Sequence, residues 1–220
     1  MENNIELEWR MYGLVPCNIS EIQKGIQYAH AVVEYGQSIK EIELKYKDGK
    51  SNFYDQTMKL VEDYNNWTDN WKTFVIMDGG TSNHTQNRYR VGEFIGTMEC
   101  HLKELSDNGI HFATFYDPYL NDMLSAIVFL VDERVFKLKP YFEGDTIIYP
   151  DFDVKKYYGN TKFAKDAQKE LDKNPMDPNF PNVPNLLGID VRKEWEKWVE
   201  SIGGKKNLFL RYFIRKFRTV

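Results

Sequence analysis

Apolar and polar positions sort the first third of the chain into a strand, a turn and an amphipathic helix. Trp9 to Val15 reads as a strand, Pro16 and Asn18 turn the chain, and Ser20 to about Gly36 reads as a helix. At 100° per residue, Ile22, Ile26, Ala29 and Val33 fall within about 60° of one another and form the expected buried stripe. Gln23, Gln27, His30 and Glu34 fill a neighbouring arc of about 60°. A polar row beside a core is where a cleft can form. Ser20 with Gln23 three residues later reads as a capping box, and Asn18 with Glu21 offers a second solution. Either one leads into a helix N-terminus whose free N–H groups can hold an anion such as phosphate.

Farther along, Gln37 to Lys50 is charged and ambiguous, with Asp48-Gly49 marking a turn. Met58, Val61 and Tyr64 or Asn65 recur at helical spacing, which predicts a second helix over Asp55 to Trp67. The run Thr73 to Met77 predicts a buried strand. A long polar loop then reaches to Gly92, and Phe94, Met98, Leu102 and Leu105 predict a third helix that stops at Asn108-Gly109. Ile110 to Tyr116 and Ser125 to Val131 read as two more strands, joined by a loop that begins Asp117-Pro118. The order is that of an α/β layer fold with its sheet core at 9 to 131. From 132 to 220 the character changes. Four prolines between 175 and 184 suggest an extended strap, Val191 to Ile202 reads as a helix, and the basic tail interleaves Leu208, Leu210, Phe213, Ile214 and Phe217 with its charges. Such a tail can lie on the core with its charged heads in water, or clamp a nucleic acid.

Composition narrows the function classes. The chain has 220 residues, 42% of them hydrophobic, which is enough for one sizeable core and an appendage. Cys17 and Cys100 form neither a disulfide framework nor a metal-ligand spacing, and this fits a reducing cytosol. The first residues do not read as a signal peptide, and the longest apolar run, Ala126 to Val131, is too short to span a bilayer. The expectation is a soluble cytoplasmic protein without a membrane partner. The net charge is −4, but Gly203 to Val220 carries six basic residues and no acid, so the rest holds 23 basic against 33 acidic residues, a net of −10. A body that acidic repels a long polyanion.

Other motifs are weaker. Gly79-Gly80-Thr81-Ser82 can cradle a phosphate or simply connect two elements. Arg88-Tyr89-Arg90 mixes stacking and phosphate-binding side chains, and a solvated loop tip explains it better. His84, His101 and His111 have no metal-site spacing, so no metal and no cofactor is expected.

Gln27-Tyr28-Ala29-His30-Ala31, after a strand and a turn, resembles the Gln-Cys-x-His-Ala helix of type-2 peptidyl-tRNA hydrolases. Three later features fall in the same order: the Trp-led strand at 71 to 77, the helix ending at Asn108-Gly109, and Asp117 at the end of a strand before strand 125 to 131. The resemblance covers residues 9 to 131, with an insertion after the first helix, and extends to the tail-bearing versions found in large phage genomes. It implies a mixed four-stranded sheet flanked by helices in a 1–131 core. The 132–220 extension is not explained by it, and the residues themselves lead us to expect its strap and tail to pack on that core. The resemblance also implies hydrolysis of the ester between peptide and tRNA, in the cytoplasm of the host cell if the chain is phage-encoded. By position, His30 and Asp117 match the family's catalytic histidine and aspartate, and Gln27 its helix glutamine. The family's lysine falls on Gln23, with Lys24 adjacent but 100° round the helix. The family's loop threonines are replaced by Asn121, Asp122 and Ser125.

His30 can serve as a base, since small environmental shifts move an imidazole across neutrality, and Asp117 can orient it. Ser20, Gln23, Lys24, Gln27, Glu34, Asn121 and Ser125 are the expected ligand-binding residues. Three functions stay open: a peptidyl-tRNA hydrolase, an enzyme that cleaves a small or cyclic nucleotide as a phage counter-defence, and a protein that sequesters such a nucleotide. The aromatic-rich extension offers surface for a homodimer, and intramolecular packing explains those aromatics equally well.

Overall fold

A bare stretch of backbone at the centre of the first strand decides how the sheet meets its helices. The computed structural model describes residues 7–46, 54–82, 96–137, 141–143, 146–148, 151–173 and 191–220. The chain divides into two compact units, one reaching to Glu133 and including Phe217–Val220, the other Arg134–Lys216.

The first unit runs β1 (Trp9–Val15), α1 (Glu21–Tyr46), α2 (Tyr54–Asn66), a π-helical turn (Trp67–Trp71), β2 (Thr73–Asp78), α3 (Thr97–Asp107), β3 (Ala113–Asp117), a 3-10 turn (Pro118–Leu120), β4 (Met123–Asp132) and the short α4 (Glu133–Phe136). The sheet order is β2-β1-β4-β3, with β1 parallel to β2 and antiparallel to β4, and β3 antiparallel to β4. This is the expected α/β arrangement of a mixed four-stranded sheet flanked by helices. From Leu124 onward β4 is buried on both faces and accordingly reads as a continuous apolar run. The last residues of the chain cover the β2 edge. Thr219 bridges to Met77, the Asp78 N–H donates to the Arg218 carbonyl, and the Val220 N–H donates to that of Ile76. Pairing an edge in this way removes a row of unpaired backbone groups.

The buried face of α1 is not the one its aliphatic residues predict. Ile22, Ile26 and Val33 are 78%, 49% and 57% exposed, and Ala29 is exposed as well. The face turned inward carries Lys24, Gln27, Tyr28, Ala31, Tyr35 and Ile39, on the opposite side of the helix. The cause lies in the sheet. Gly13 has no side chain, the Tyr28 ring occupies that space, and the Tyr28 hydroxyl donates to the Met11 carbonyl at 2.7 Å. Burial pushes the Tyr28 phenol up, so it remains a donor. Tyr35, fully buried, rests against Tyr64 and the edge of His111. The inward side thus seats two aromatic rings, Tyr28 and Tyr35, together with Ala31 and Ile39. Helix α1 also continues ten residues past Gly36, because Ile39, Ile42 and Tyr46 keep the same side partly or wholly buried.

The rest of the chain forms the second unit. It contains the hairpin β5 (Tyr141–Glu143) and β6 (Thr146–Ile148), then α5 (Lys155–Tyr158), α6 (Lys162–Lys173), α7 (Val191–Ser201) and α8 (Gly204–Ile214). Phe152, Val154, Ala164, Leu171, Val191, Trp195, Val199, Ile202 and Leu208 form its own apolar core. The basic tail is mostly α8, in which Leu208, Phe209, Leu210 and Phe213 are buried, Leu208 within that core. Arg211, 1% exposed, donates to the Arg134 carbonyl at 2.6 Å and pairs with Asp151. The proline cluster at 175 to 184 lies outside the described residues.

Gly13→Ala is expected to lower the stability of the first unit by about 1–3 kcal/mol in urea unfolding, because a Cβ there collides with the Tyr28 ring. Gly25→Ala, in open space on α1, is expected to raise it by about 0.5–1 kcal/mol.

Candidate functional site

Three strands of the sheet point the same way, and their carboxyl ends meet the start of α1. β2 runs parallel to β1, and β3 shares that direction because both β1 and β3 are antiparallel to β4. Asp78, the residues after Val15 and Asp117 therefore lie along one edge of the sheet. In open α/β sheets this is the edge where ligands bind.

The start of α1 is built as its capping box predicts. The Gln23 N–H donates to Ser20 Oγ at 3.3 Å and the Ser20 N–H donates back to Gln23 Oε1 at 3.1 Å. Gln23 is therefore engaged in its cap. Glu21, at the same tip, pairs with Lys24 at 2.8 Å, which makes the tip less inviting to an anion. Lys24 itself is buried on the side of α1 that also carries Gln27. Its bond to Glu21 raises its pKa against the opposing effect of burial, and Asp78 and Cys17 add to the rise.

The centre of the site is Asp117. Gln27, only 4% exposed, donates from Nε2 to Asp117 Oδ2 at 2.6 Å. The Tyr119 N–H donates to Asp117 Oδ1 at 2.8 Å, so the same carboxylate caps the 3-10 turn. Asp117 is buried, with one donor fixed on each oxygen. Gln27 Oε1 is sealed from solvent and has no hydrogen-bond partner among the described residues. A buried acceptor left in that state costs about 1–3 kcal/mol.

His30 lies one turn after Gln27 and is exposed. Its ring stacks on Phe115 with centroids 4.5 Å apart and planes 17° from parallel. Thus α1 meets β3 twice, through Gln27 at Asp117 and through His30 at Phe115. Among the described residues no hydrogen bond joins His30 to Asp117.

The remaining expected residues separate. Ser125 is fully buried and its hydroxyl donates to the Met123 carbonyl at 2.7 Å, so it braces the start of β4 and is sealed from any ligand. Glu34 is exposed a turn past His30. Asn121 is exposed beside Asp122, and both have left-handed backbone, with φ of 60° and 53°. Such a conformation costs of order 1–3 kcal/mol at a non-glycine residue and persists only where surrounding structure imposes it.

The glycine pair after β2 proves to be a structural connector. The Gly79 N–H donates to the Val15 carbonyl, that of Gly80 to Asp78 Oδ1 and that of Thr81 to Thr97 Oγ1. Three of the motif's four backbone donors are thus spent within the protein rather than turned to a phosphate. A Cβ at Gly79 would strike Met98, and Gly80 has φ +84°, so both positions need glycine for packing. His111 contacts Ser38 at 3.1 Å, and His101 packs edge-on against Phe217. Among the described residues no group of three His, Cys, Asp or Glu is placed to hold a metal ion. No described helix is long and apolar enough to cross a membrane. His84 and Arg88-Tyr89-Arg90 lie outside the described residues.

Tyr119 is the feature that sequence reading missed. It is 97% exposed, immediately beyond Asp117, and no periodicity marks a single exposed ring. The only local signal is the turn-forming run Asp117-Pro118 followed by Asn121-Asp122. Compared with known proteins, the chain matches no family model, no curated protein and no solved structure.

Asp117→Ala is expected to cost about 2–3 kcal/mol in urea unfolding, because it strips Gln27 of its remaining bond and removes a turn cap. His30→Ala, at an exposed position, is expected to cost about 1 kcal/mol or less.

Proposed function

We propose that the chain is a hydrolase acting on a nucleotide-containing substrate, with the peptide–tRNA ester as its default, on a type-2 peptidyl-tRNA hydrolase-like fold. One observation carries this reading: the buried Gln27–Asp117 hydrogen bond, with His30 on the next turn of α1, at the carboxyl edge of the sheet. The residues that carry the family resemblance thus share one neighbourhood, although they come from elements 90 residues apart in sequence. The strand-helix-helix-strand-helix-strand-strand order supports the same reading.

In this mechanism a water attacks the ester carbonyl carbon while His30 accepts its proton. The carbon–oxygen bond to the ribose then breaks, and the proton passes to the departing ribose oxygen, leaving a free hydroxyl and a carboxylic acid that ionises by releasing its proton to water. Phe115 fixes the plane of the imidazole. Asp117, held on both oxygens, supplies a stationary negative charge that stabilises the imidazolium as it forms. Lys24 is the cation on the sheet-facing side of α1 that can balance the oxyanion once substrate competes with Glu21 for it.

A second reading, cleavage or sequestration of a small or cyclic nucleotide as a counter-defence, draws on charge. Residues 1 to 202 carry 23 basic against 33 acidic side chains, and Lys24 is already paired. Both facts suit a ligand with few phosphates better than a long polyanion.

The test is incubation with peptidyl-tRNA and with a panel of cyclic nucleotides, followed by chromatography of the products. Turnover of peptidyl-tRNA is expected, and His30→Ala is expected to reduce it by about 10²- to 10⁴-fold while lowering the melting temperature by a few degrees at most. A nucleotide bound stoichiometrically and recovered intact would instead establish sequestration. Undiminished turnover by His30→Ala would remove the histidine from the mechanism.

A further inference from the structure

We infer that Tyr119 is a stacking platform for the nucleobase of the ligand, forming a base subsite beside Asp117. The inference rests on the nucleotide-containing substrate proposed above and deepens it. Every other tyrosine whose burial the structure describes is buried or partly buried, whereas Tyr119 is 97% exposed. A nearly free aromatic ring is ordinary on a floppy tip, and this tip is held at several points. Pro118 fixes one backbone torsion, Asp117 Oδ1 clasps the Tyr119 N–H at 2.8 Å, and Asn121 and Asp122 both stand in the left-handed region. The ring has only two side-chain torsions to settle, so ordering it against a flat partner loses little conformational freedom.

Charge selects which part of a nucleotide belongs there. The segment from Asp117 to Ser125 carries Asp117 and Asp122 and no cation, so it repels phosphate and accepts a neutral π-face. Stacking on an aromatic ring suits every base because each presents such a face. The carboxylate that holds the Tyr119 backbone also holds Gln27, whose helix presents His30 one turn later. A base on Tyr119 is thus held on the turn that Asp117 caps, at the same strand end as Gln27.

Two measurements test this. In steady-state hydrolysis of peptidyl-tRNA, Tyr119→Ala is expected to raise KM about tenfold with kcat within twofold, and Tyr119→Trp to restore KM. In saturation-transfer NMR with adenosine monophosphate, transfer from the wild-type protein to the base protons H2 and H8 is expected, and loss of it in Tyr119→Ala. Since the ring is exposed, both variants are expected to melt with the wild type. Base-proton transfer that depends on Tyr119 upholds the subsite even if no hydrolysis of any substrate is found. An unchanged KM in an active Tyr119→Ala enzyme, or base transfer unaffected by the substitution, overturns it.

Discussion

The seat of the Tyr28 ring on the bare backbone of Gly13 governs how α1 lies on the sheet, and with it the geometry of the site. A side chain at position 13 would lift the helix, because the ring already fills the space a Cβ needs and Val128 closes the other side at 3.0 Å. With the ring down and its hydroxyl on the Met11 carbonyl, the rotation of the helix is set. That rotation turns Gln27 into the sheet and brings His30 to the strand edge. The polar contacts follow from an apolar one: Gln27 reaches Asp117 only because Tyr28, its neighbour, has nowhere else to go.

This explains why the existence of the elements could be read from the chain while the orientation of its first helix could not. Strands and helices in the first unit announce themselves by their own periodicity, and their bounds hold to within a few residues except for α1. Helix α1 carries two apolar sides. Ile22, Ile26, Ala29 and Val33 recur at helical spacing, and so do Tyr28, Ala31, Tyr35 and Ile39. Local pattern cannot choose between them. The choice is made by a glycine on another element, which leaves room for the Tyr28 ring, and by the hydroxyl bond to the Met11 carbonyl. In the second unit α7 was legible from its own spacing, whereas the core that joins Phe152, Leu171, Trp195 and Leu208 spans gaps that leave no periodic trace.

Of the site, the motif residues were legible and their partners were not. His30, Asp117 and Gln27 stand out through resemblance and order. The structure adds that Phe115 supports His30 and that Tyr119 extends from Asp117. It withdraws Ser125, which is sealed beneath the start of β4, and reassigns Gln23 to its cap. Lys24 moves the other way. Its angle from the expected polar row counts against it only while that row is taken as the face toward the site. Once the tyrosine side is the inward one, Lys24 and Gln27 share it.

The carboxylate of Asp117 joins two demands that most sites keep apart. It satisfies a buried amide and it caps the turn that carries Tyr119, so removing it damages packing and presentation together. Loss of activity in such a variant cannot by itself assign Asp117 a chemical role, because a helix freed from Gln27 and a tip freed from its cap would lose activity as well. His30 and Tyr119 are exposed, and deleting either ring leaves the Gly13–Tyr28 seat and the Gln27–Asp117 bond intact. The chemistry of this edge is therefore best read from its two exposed rings. The carboxylate between them is a shared support, and even Asp117→Asn keeps an acceptor at only one of its two positions.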